Sequence, residues 1–129
     1  FCRNFKLIYC KIRVVQRISV TESDIPEDLK IVIFRLLQES FHNIAKYSRA
    51  DLVRLSLARK SDKLELTITD NGEGFNVVSA LSKASSSRGL GLSSMRERTE
   101  LAGGLFSIAS APGRGTEIHA CWNLRLQKV

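Results

Sequence analysis

No apolar run in this sequence reaches the eighteen or so residues that span a bilayer, and no secretory leader pattern opens it. The chain as given therefore reads as soluble. Cysteine is scarce: Cys2, Cys10 and Cys121 are odd in number and lack CxxC or Cys/His metal spacing, which excludes a disulfide framework and a zinc site and suits a reducing, cytosolic setting. Aromatics number only nine, mostly at core-like positions, too few for a nucleic-acid platform with Lys and Arg interleaved. Despite a net charge of +7, there is no block of five basic residues. The charge reads as solvated surface, with a basic rim around a phosphate site as the more informative alternative. Internal repeats are absent too.

What is present is ordinary globular composition, 43% hydrophobic and 26% charged, over 129 residues, enough for one domain with a real core. The chain begins at Phe1 rather than Met, which predicts a fragment of something longer. Residues 1–9 read as the tail of an element, with Phe1, Phe5 and Ile8 at helical spacing. Ile12, Val14, Ile18 and Val20 then suggest a strand with Lys11, Arg13 and Arg17 outward. Asp24-Ile25-Pro26-Glu27 predicts a helix start: Asp24 as cap, Glu27 completing a capping box, Pro26 in the first turn. The helix runs to about Ser48, with Leu29, Ile33, Leu36, Leu37, Ser40 and Ile44 on one face and Arg35, Glu39, His42, Asn43 and Lys46 on the other.

Alternation predicts a hairpin next. Val53, Leu55 and Leu57 face one side of its first strand, Lys60-Ser61-Asp62-Lys63 makes the turn, and Leu64, Leu66 and Ile68 lead to Asp70 at the end of the second strand. The serine-rich stretch 76–88 reads as a mobile lid, too polar to pack firmly. From Gly91, Leu92, Met95, Thr99 and Ala102 mark a second helix stopped by Gly103-Gly104. Residues 105–109 and 117–122 close the chain as a hairpin around Pro112-Gly113-Arg114-Gly115, with a polar tail beyond. The expected fold is α+β: a two-layer sandwich with helices on one face of a mixed, mostly antiparallel sheet.

The chemistry concentrates in four places. Asp70-Asn71-Gly72-Glu73-Gly74-Phe75 puts a carboxylate at a strand end beside two glycines, and an ionised Asp, which only accepts hydrogen bonds, suits the exocyclic amine of adenine. A plain Asn-Gly turn is the competing reading. The polar helix face offers a hard oxygen, a carboxylate and a cation in Asn43, Glu39 and Lys46, the ingredients of a metal-phosphate site, although a solvated helix face has the same appearance. Arg88-Gly89-Leu90-Gly91-Leu92 stands just ahead of the second helix, where bare backbone and a positive helix end can meet a triphosphate. Gly113-Arg114-Gly115-Thr116 is a turn by itself; in this order with the others it makes a more specific signal.

Together these segments resemble the GHKL, or Bergerat-fold, ATP-binding family over about residues 7–122, and most closely the catalytic domain of sensor histidine kinases paired with NarL-type response regulators. Phe34-Arg35-Leu36-Leu37-Gln38-Glu39 through Asn43, Ala45 and Lys46 resembles the N box, and the Asp70–Phe75 segment the first G box. Arg88–Arg98, with its Met95-Arg96-Glu97-Arg98, resembles the second, and Gly113–Thr116 the last. The resemblance implies ATP and magnesium as ligands. Asp70 would bind the adenine amine, Asn43 the magnesium and Lys46 a phosphate. Gly72 and Gly74 would pass beside the base, and Arg88, Gly89, Leu90, Gly91 and Leu92 would meet the phosphates. Thr116 would assist Asp70, and Glu39 would orient or polarise the attacking group. Two departures are Tyr47, where His is usual, and His42, where Asn is usual; both bear on phosphate contacts and turnover.

What the resemblance implies is a cytoplasmic module, residues 1–129, that passes the γ-phosphoryl group of ATP to a histidine on a separate phosphoacceptor domain upstream. A response regulator would be engaged indirectly and nucleic acid not at all. Dimerisation would come only through upstream helices, and membrane attachment, if any, through parts outside this chain. A GHKL ATPase, an anti-sigma-type serine kinase, a module that binds ATP without turnover and a basic nucleic-acid-binding module are the alternatives.

Overall fold

The computed structural model describes residues 12–82 and 87–124, with the side chains of Ser87 and Arg88 excepted. The expectations for residues 1–9, for Lys11 and for the polar tail therefore lie outside the described residues. Strand β1 (Arg13–Ser19) leads through a single 3-10 turn (Glu22–Asp24) to helix α1 (Glu27–Asn43), which continues as a π-helical segment (Ile44–Ser48). Strands β2 (Leu52–Lys60) and β3 (Lys63–Asp70) follow, then α2 (Val77–Ser82), α3 (Ser87–Leu101), β4 (Gly104–Ser110) and β5 (Thr116–Asn123). The five strands form one sheet in the order β1-β2-β3-β5-β4, with β1 parallel to β2 and every other pair antiparallel. This is the expected α+β sandwich.

Alternation along the strands builds the core. Val53, Leu55 and Leu57 of β2, Leu64, Leu66 and Ile68 of β3, and Ile118, Ala120 and Trp122 of β5 are all buried. Opposite them lie Leu29, Ile33, Leu36, Phe41 and Ile44 from α1 and its extension, and Leu92, Met95 and Thr99 from α3. The two helices are tied inside the core by Ser40, whose hydroxyl lies 3.5 Å from the Met95 thioether. Phe41, off the expected stripe, is buried as well.

Three local expectations fail. The capping box does not form: Pro26 occupies the N-cap with no side-chain cap, while Asp24 accepts a 2.6 Å hydrogen bond from Thr21 Oγ1 and pairs with Arg59 at 3.3 Å. An Asp with both a hydroxyl and a guanidinium at hand is better satisfied there than at a helix start that Pro26 has already fixed. In β1 the inward register holds Val14, Gln16 and Ile18, yet only Val14 is buried and Ile18 is 52% exposed. β1 is an edge strand, and its far end outruns the apolar layer. The third is the start of the second long helix, which falls earlier than expected, at the end of a lid stretch that is itself partly helical. That stretch contains α2, and α3 already begins at Ser87, so the Arg88–Leu92 segment lies within a helix rather than ahead of it.

Burial at these levels sets the stability scale. Leu36, with no exposed surface, should cost about 2 to 5 kcal/mol when replaced by Ala, whereas Leu105, 73% exposed, should change stability by no more than about 0.5 kcal/mol when replaced by Ser. Urea unfolding of the two variants checks this; equal losses would mean that the helix layer is misplaced.

Candidate functional site

One row of side chains crosses the sheet at the end where β3 stops. Val14 pairs with Val53, Val53 with Asp70, Asp70 with Thr116 and Thr116 with Ser110. The row lies on the helix-facing side, since Asp70 continues the phase of Leu64, Leu66 and Ile68. Strand alternation thus carries a carboxylate into an otherwise apolar layer: Asp70 is only 7% exposed. Its Oδ1 accepts the Gly72 amide at 2.8 Å. Burial pushes the Asp70 carboxyl above the ordinary carboxylate range, and the Gly72 amide offsets part of that rise.

A cavity opens over this row, lined among others by Asn43 and Tyr47 from the helix layer, Asp70 and Thr116 from the sheet, Gly74 and Phe75 from the intervening turn, and Leu92 from α3. Asn43 reaches it because α1 changes its winding here. The residues read as a continuous helix to Ser48 instead adopt π-helical turns after Asn43, a form that recurs at functional sites. The segment ends at Arg49, in the left-handed conformation, φ 55°. The Ser48 carbonyl then accepts the Glu73 amide at 2.7 Å and Arg49 pairs with Glu73 at 3.5 Å, which docks the helix end onto the turn after Asp70. Inside the cavity wall, Asn43 Oδ1 is buried with no hydrogen-bond partner among the described residues. A buried carbonyl oxygen in that condition is costly without a ligand.

The turn itself is latched by Asn71. Its side-chain oxygen accepts the amides of Asp51 and Leu52, both at 3.1 Å, and its amide donates to Asp51 Oδ1 at 2.6 Å. The Asn-Gly pair is thus not a hairpin turn: Asn71 clamps the start of β2 to the end of β3. On the other side, Gly115 adopts φ 72°, and a Cβ there would meet the Asp70 carbonyl, so glycine is required for β5 to pass so close.

Of the residues singled out from sequence, Asn43, Asp70, Gly74, Leu92 and Thr116 line the cavity. Gly72 lies just outside it, its amide on Asp70. Leu92, read as a phosphate-segment residue, is 2% exposed and belongs to the core that floors the cavity, while Leu90 is 58% exposed. Gly91 lies past the first turn of α3, where amides are ordinarily taken up by the helical ladder, and faces Glu39: a Cβ would strike the Glu39 carboxylate. Glu39 therefore sits against the second glycine segment rather than in the cavity. Lys46 is exposed, with Nζ 5.2 Å from the centre of the Tyr47 ring, a cation–π distance. Gly89 is buried in the first turn of α3; the Arg88 side chain lies outside the described residues. Sequence reasoning missed Ser110 as a site residue, although its place in the alternation of β4, level with Thr116, was the available signal. His119 belongs to the opposite face of the sheet, in the phase of Glu117 and Cys121, and His42 is exposed on α1. Among the described residues no cluster of His, Cys, Asp and Glu could hold a metal, and no helix is long and apolar enough to cross a membrane.

This geometry joins a wider likeness. Residues 28–126 match the model of the histidine kinase-, DNA gyrase B- and HSP90-like ATPases. The chain belongs to this family. Among curated proteins it is 35% identical over 100 residues to the sensor histidine kinase LiaS of Bacillus subtilis and 36% identical over 100 residues to the sensor protein VraS of Staphylococcus aureus. Each alignment covers 78% of this chain, which spans only about a quarter of those proteins (26% and 27%). Among solved structures, the histidine kinase domain of the Erythrobacter litoralis EL346 blue-light activated histidine kinase superposes with a TM-score of 0.79 at 20% identity, over 98% of this chain and 58% of that one. The mycobacterial sensor histidine kinase MprB gives a TM-score of 0.68 at 20% identity over 95% of this chain and 88% of the other. These two likenesses establish the fold; the family match and the curated relatives identify an ATP-binding domain of the kind found in sensor histidine kinases.

The raised carboxyl of Asp70 has a definite sign. An acid whose folded value lies above its unfolded value stabilises the fold when protonated, and that contribution is lost as pH rises through the folded value. Asp70→Asn keeps an oxygen for the Gly72 amide and removes the charge. Its Tm without nucleotide should exceed that of the wild type at neutral pH, and the two should converge at acid pH. A lower Tm for the variant at neutral pH would show that the carboxylate is stabilising where it lies.

Proposed function

We propose that this chain is the catalytic module of a sensor histidine kinase of the group paired with NarL-type regulators, binding ATP with magnesium in the cavity above Asp70. The observation that carries this reading is the pairing, in one cavity of an ATPase-family domain, of a buried carboxylate with a buried oxygen that has no partner among the described residues. Asp70 takes the adenine amine with its free lone pairs, and Thr116, directly across the strand pair, lies within reach of the same group. Asn43 Oδ1 is a hard, neutral oxygen of the type a magnesium ion accepts beside phosphates and water, so its unpartnered state fits such an ion. Bound there, magnesium would neutralise charge on the phosphates.

The residues of the chain do the rest. Lys46, exposed on the helix extension and held near Tyr47, is placed for a phosphate; Tyr47 supplies an aromatic wall where the family usually has His. The start of α3, with Arg88, Gly89 and Leu90, contributes amides of a helix's first turn and its positive end. Residues 76–88 serve as the lid, and α2 within them, which buries none of its side chains fully, is its movable part. Glu39, on the first helix beside Gly91, orients the attacking imidazole. In the transfer, an imidazole nitrogen from a separate phosphoacceptor domain forms a bond to the γ-phosphorus, the bridging P–O bond breaks and ADP leaves; the chain supplies position and field. The Met95-Arg96-Glu97-Arg98 segment supports the NarL-type assignment over a plain ATPase or a serine kinase. A nucleic-acid module is less favoured, since the open face of the sheet presents no Phe, Tyr or Trp among its described residues. A cytoplasmic location and an indirect relation to a response regulator follow from the same reading.

Calorimetry with ADP, with and without magnesium, tests it. Asp70→Ala should weaken binding by about 1 to 3 kcal/mol, the cost of an unmet polar group. Because an amine donor favours ionised Asp70, binding should release a proton near the raised carboxyl value, and affinity should rise with pH through that range and then level off. Equal binding by wild type and Asp70→Ala would remove the adenine assignment.

The isolated chain should bind nucleotide without labelling itself. His119 is on the sheet face away from the cavity and His42 is fixed on the helix that builds it, so neither imidazole is presented in line with a γ-phosphate. Incubation with γ-labelled ATP and magnesium should give acid-labile label only when a helical domain carrying the acceptor His is added. Label on the chain alone, lost on replacing His42 or His119, would contradict this division of labour.

A further inference from the structure

Ser110 is the last residue of β4 and the cross-strand partner of Thr116, which faces the cavity. Three groups converge on its hydroxyl: the Phe75 amide at 2.9 Å, the Gly115 carbonyl at 2.8 Å and the Thr116 hydroxyl at 2.9 Å. A serine hydroxyl has one proton and two lone pairs. The Phe75 amide can only donate, so it takes one lone pair. The Gly115 carbonyl can only accept, so it takes the proton. What is left for Thr116 is the second lone pair, and the Thr116 hydroxyl must therefore donate to Ser110. Thr116 has then spent its only proton and turns nothing but lone pairs toward the cavity.

The consequence reaches the base. Asp70, across the strand pair from Thr116, is an acceptor when ionised. With Thr116 held as an acceptor as well, the base end of the cavity meets an exocyclic group with acceptors only. An amino group satisfies both with its two N–H bonds; a 6-oxo purine brings one donor, N1–H, and sets its keto lone pairs against the other buried acceptor. We infer that Ser110 is a specificity-determining positioning residue, which fixes the hydroxyl proton of Thr116 and so makes the pocket select 6-amino over 6-oxo purine nucleotides. This rests on the nucleotide reading given above and adds to it the residue that sets the hydrogen-bond polarity of the pocket.

The test is the ratio of Kd values for IDP and ADP, which differ at the 6-position by the exchange of amino for keto and its attendant N1 proton. It is measured by calorimetry on the whole chain as wild type, Ser110→Ala and Ser110→Thr. Wild type should favour ADP. Ser110→Ala frees the Thr116 proton to point into the cavity, and the ratio should fall at least fivefold, while Ser110→Thr, which keeps a hydroxyl in place, should restore most of it. A merely structural role for Ser110 would weaken both nucleotides alike and leave the ratio unchanged, and that result overturns the inference. So does a wild type that binds the two equally. If Ser110→Ala does not fold, Ser110→Cys, of similar volume and with weaker hydrogen bonds, reads the same ratio in the same direction. A wild type that binds neither nucleotide defeats the nucleotide reading itself, which separates that failure from the failure of the Ser110 assignment.

Discussion

The burial of one carboxylate at the end of β3 is the constraint on which the rest of this site depends. Strand alternation fixes the side chain of Asp70 on the helix-facing side of the sheet, in phase with Leu64, Leu66 and Ile68, so it cannot turn to water without a register slip that would expose all three. The surroundings accommodate it instead. Gly72 gives its amide, and Gly115 lets β5 pass close to the Asp70 carbonyl. Thr116 and Ser110 continue a polar row where an apolar one would have packed. The cost of a raised, desolvated carboxyl is retained in the fold, the condition in which a donor arriving from a ligand gains most.

How much of this was legible in the sequence depended on which physical rule governed each piece. Period-two alternation ending at Asp70, and the apolar stripe of Leu29, Ile33, Leu36, Ser40 and Ile44, were visible because both reflect a single face meeting a single core. The failures come from competition between rules. Asp24 was a good cap by local pattern, but a tertiary partner, Arg59, and the hydroxyl of Thr21 outbid the helix end. Helical periodicity could not register the π-helical turns after Asn43, since one extra residue per turn leaves the composition unchanged while it re-aims everything that follows. Glycines at 89 and 91 were read as bare backbone just ahead of the helix, yet α3 includes them although each costs about 1 kcal/mol against Ala in a helix interior. Asn71 was hidden for another reason: its role consists of hydrogen bonds to residues 20 and 19 positions away, which no local pattern encodes.

Several features that cost stability surround the cavity. The desolvated Asp70, the Asn43 oxygen without a partner among the described residues, the left-handed Arg49 and the irregular helix turns lie around it, while the opposite end packs Leu64, Ala120 and Trp122 densely and has costs of its own in the buried Trp122 Nε1, likewise without such a partner, and the left-handed Ser61. A domain that must bind and release a ligand has reason to keep unmet acceptors at its cavity while the sheet carries most of the stability. Asn71 and the contacts between Ser48 and Glu73 then matter more than their number suggests, because they couple the two regions. They hold the helix extension and the turn after Asp70 to the sheet, so that unmet acceptors face one another across a fixed gap instead of relaxing toward solvent. Were that coupling loose, Asn43 and Asp70 would each find water separately, and neither would retain the unsatisfied state that gives a nucleotide and its cation their advantage over the solvent they displace.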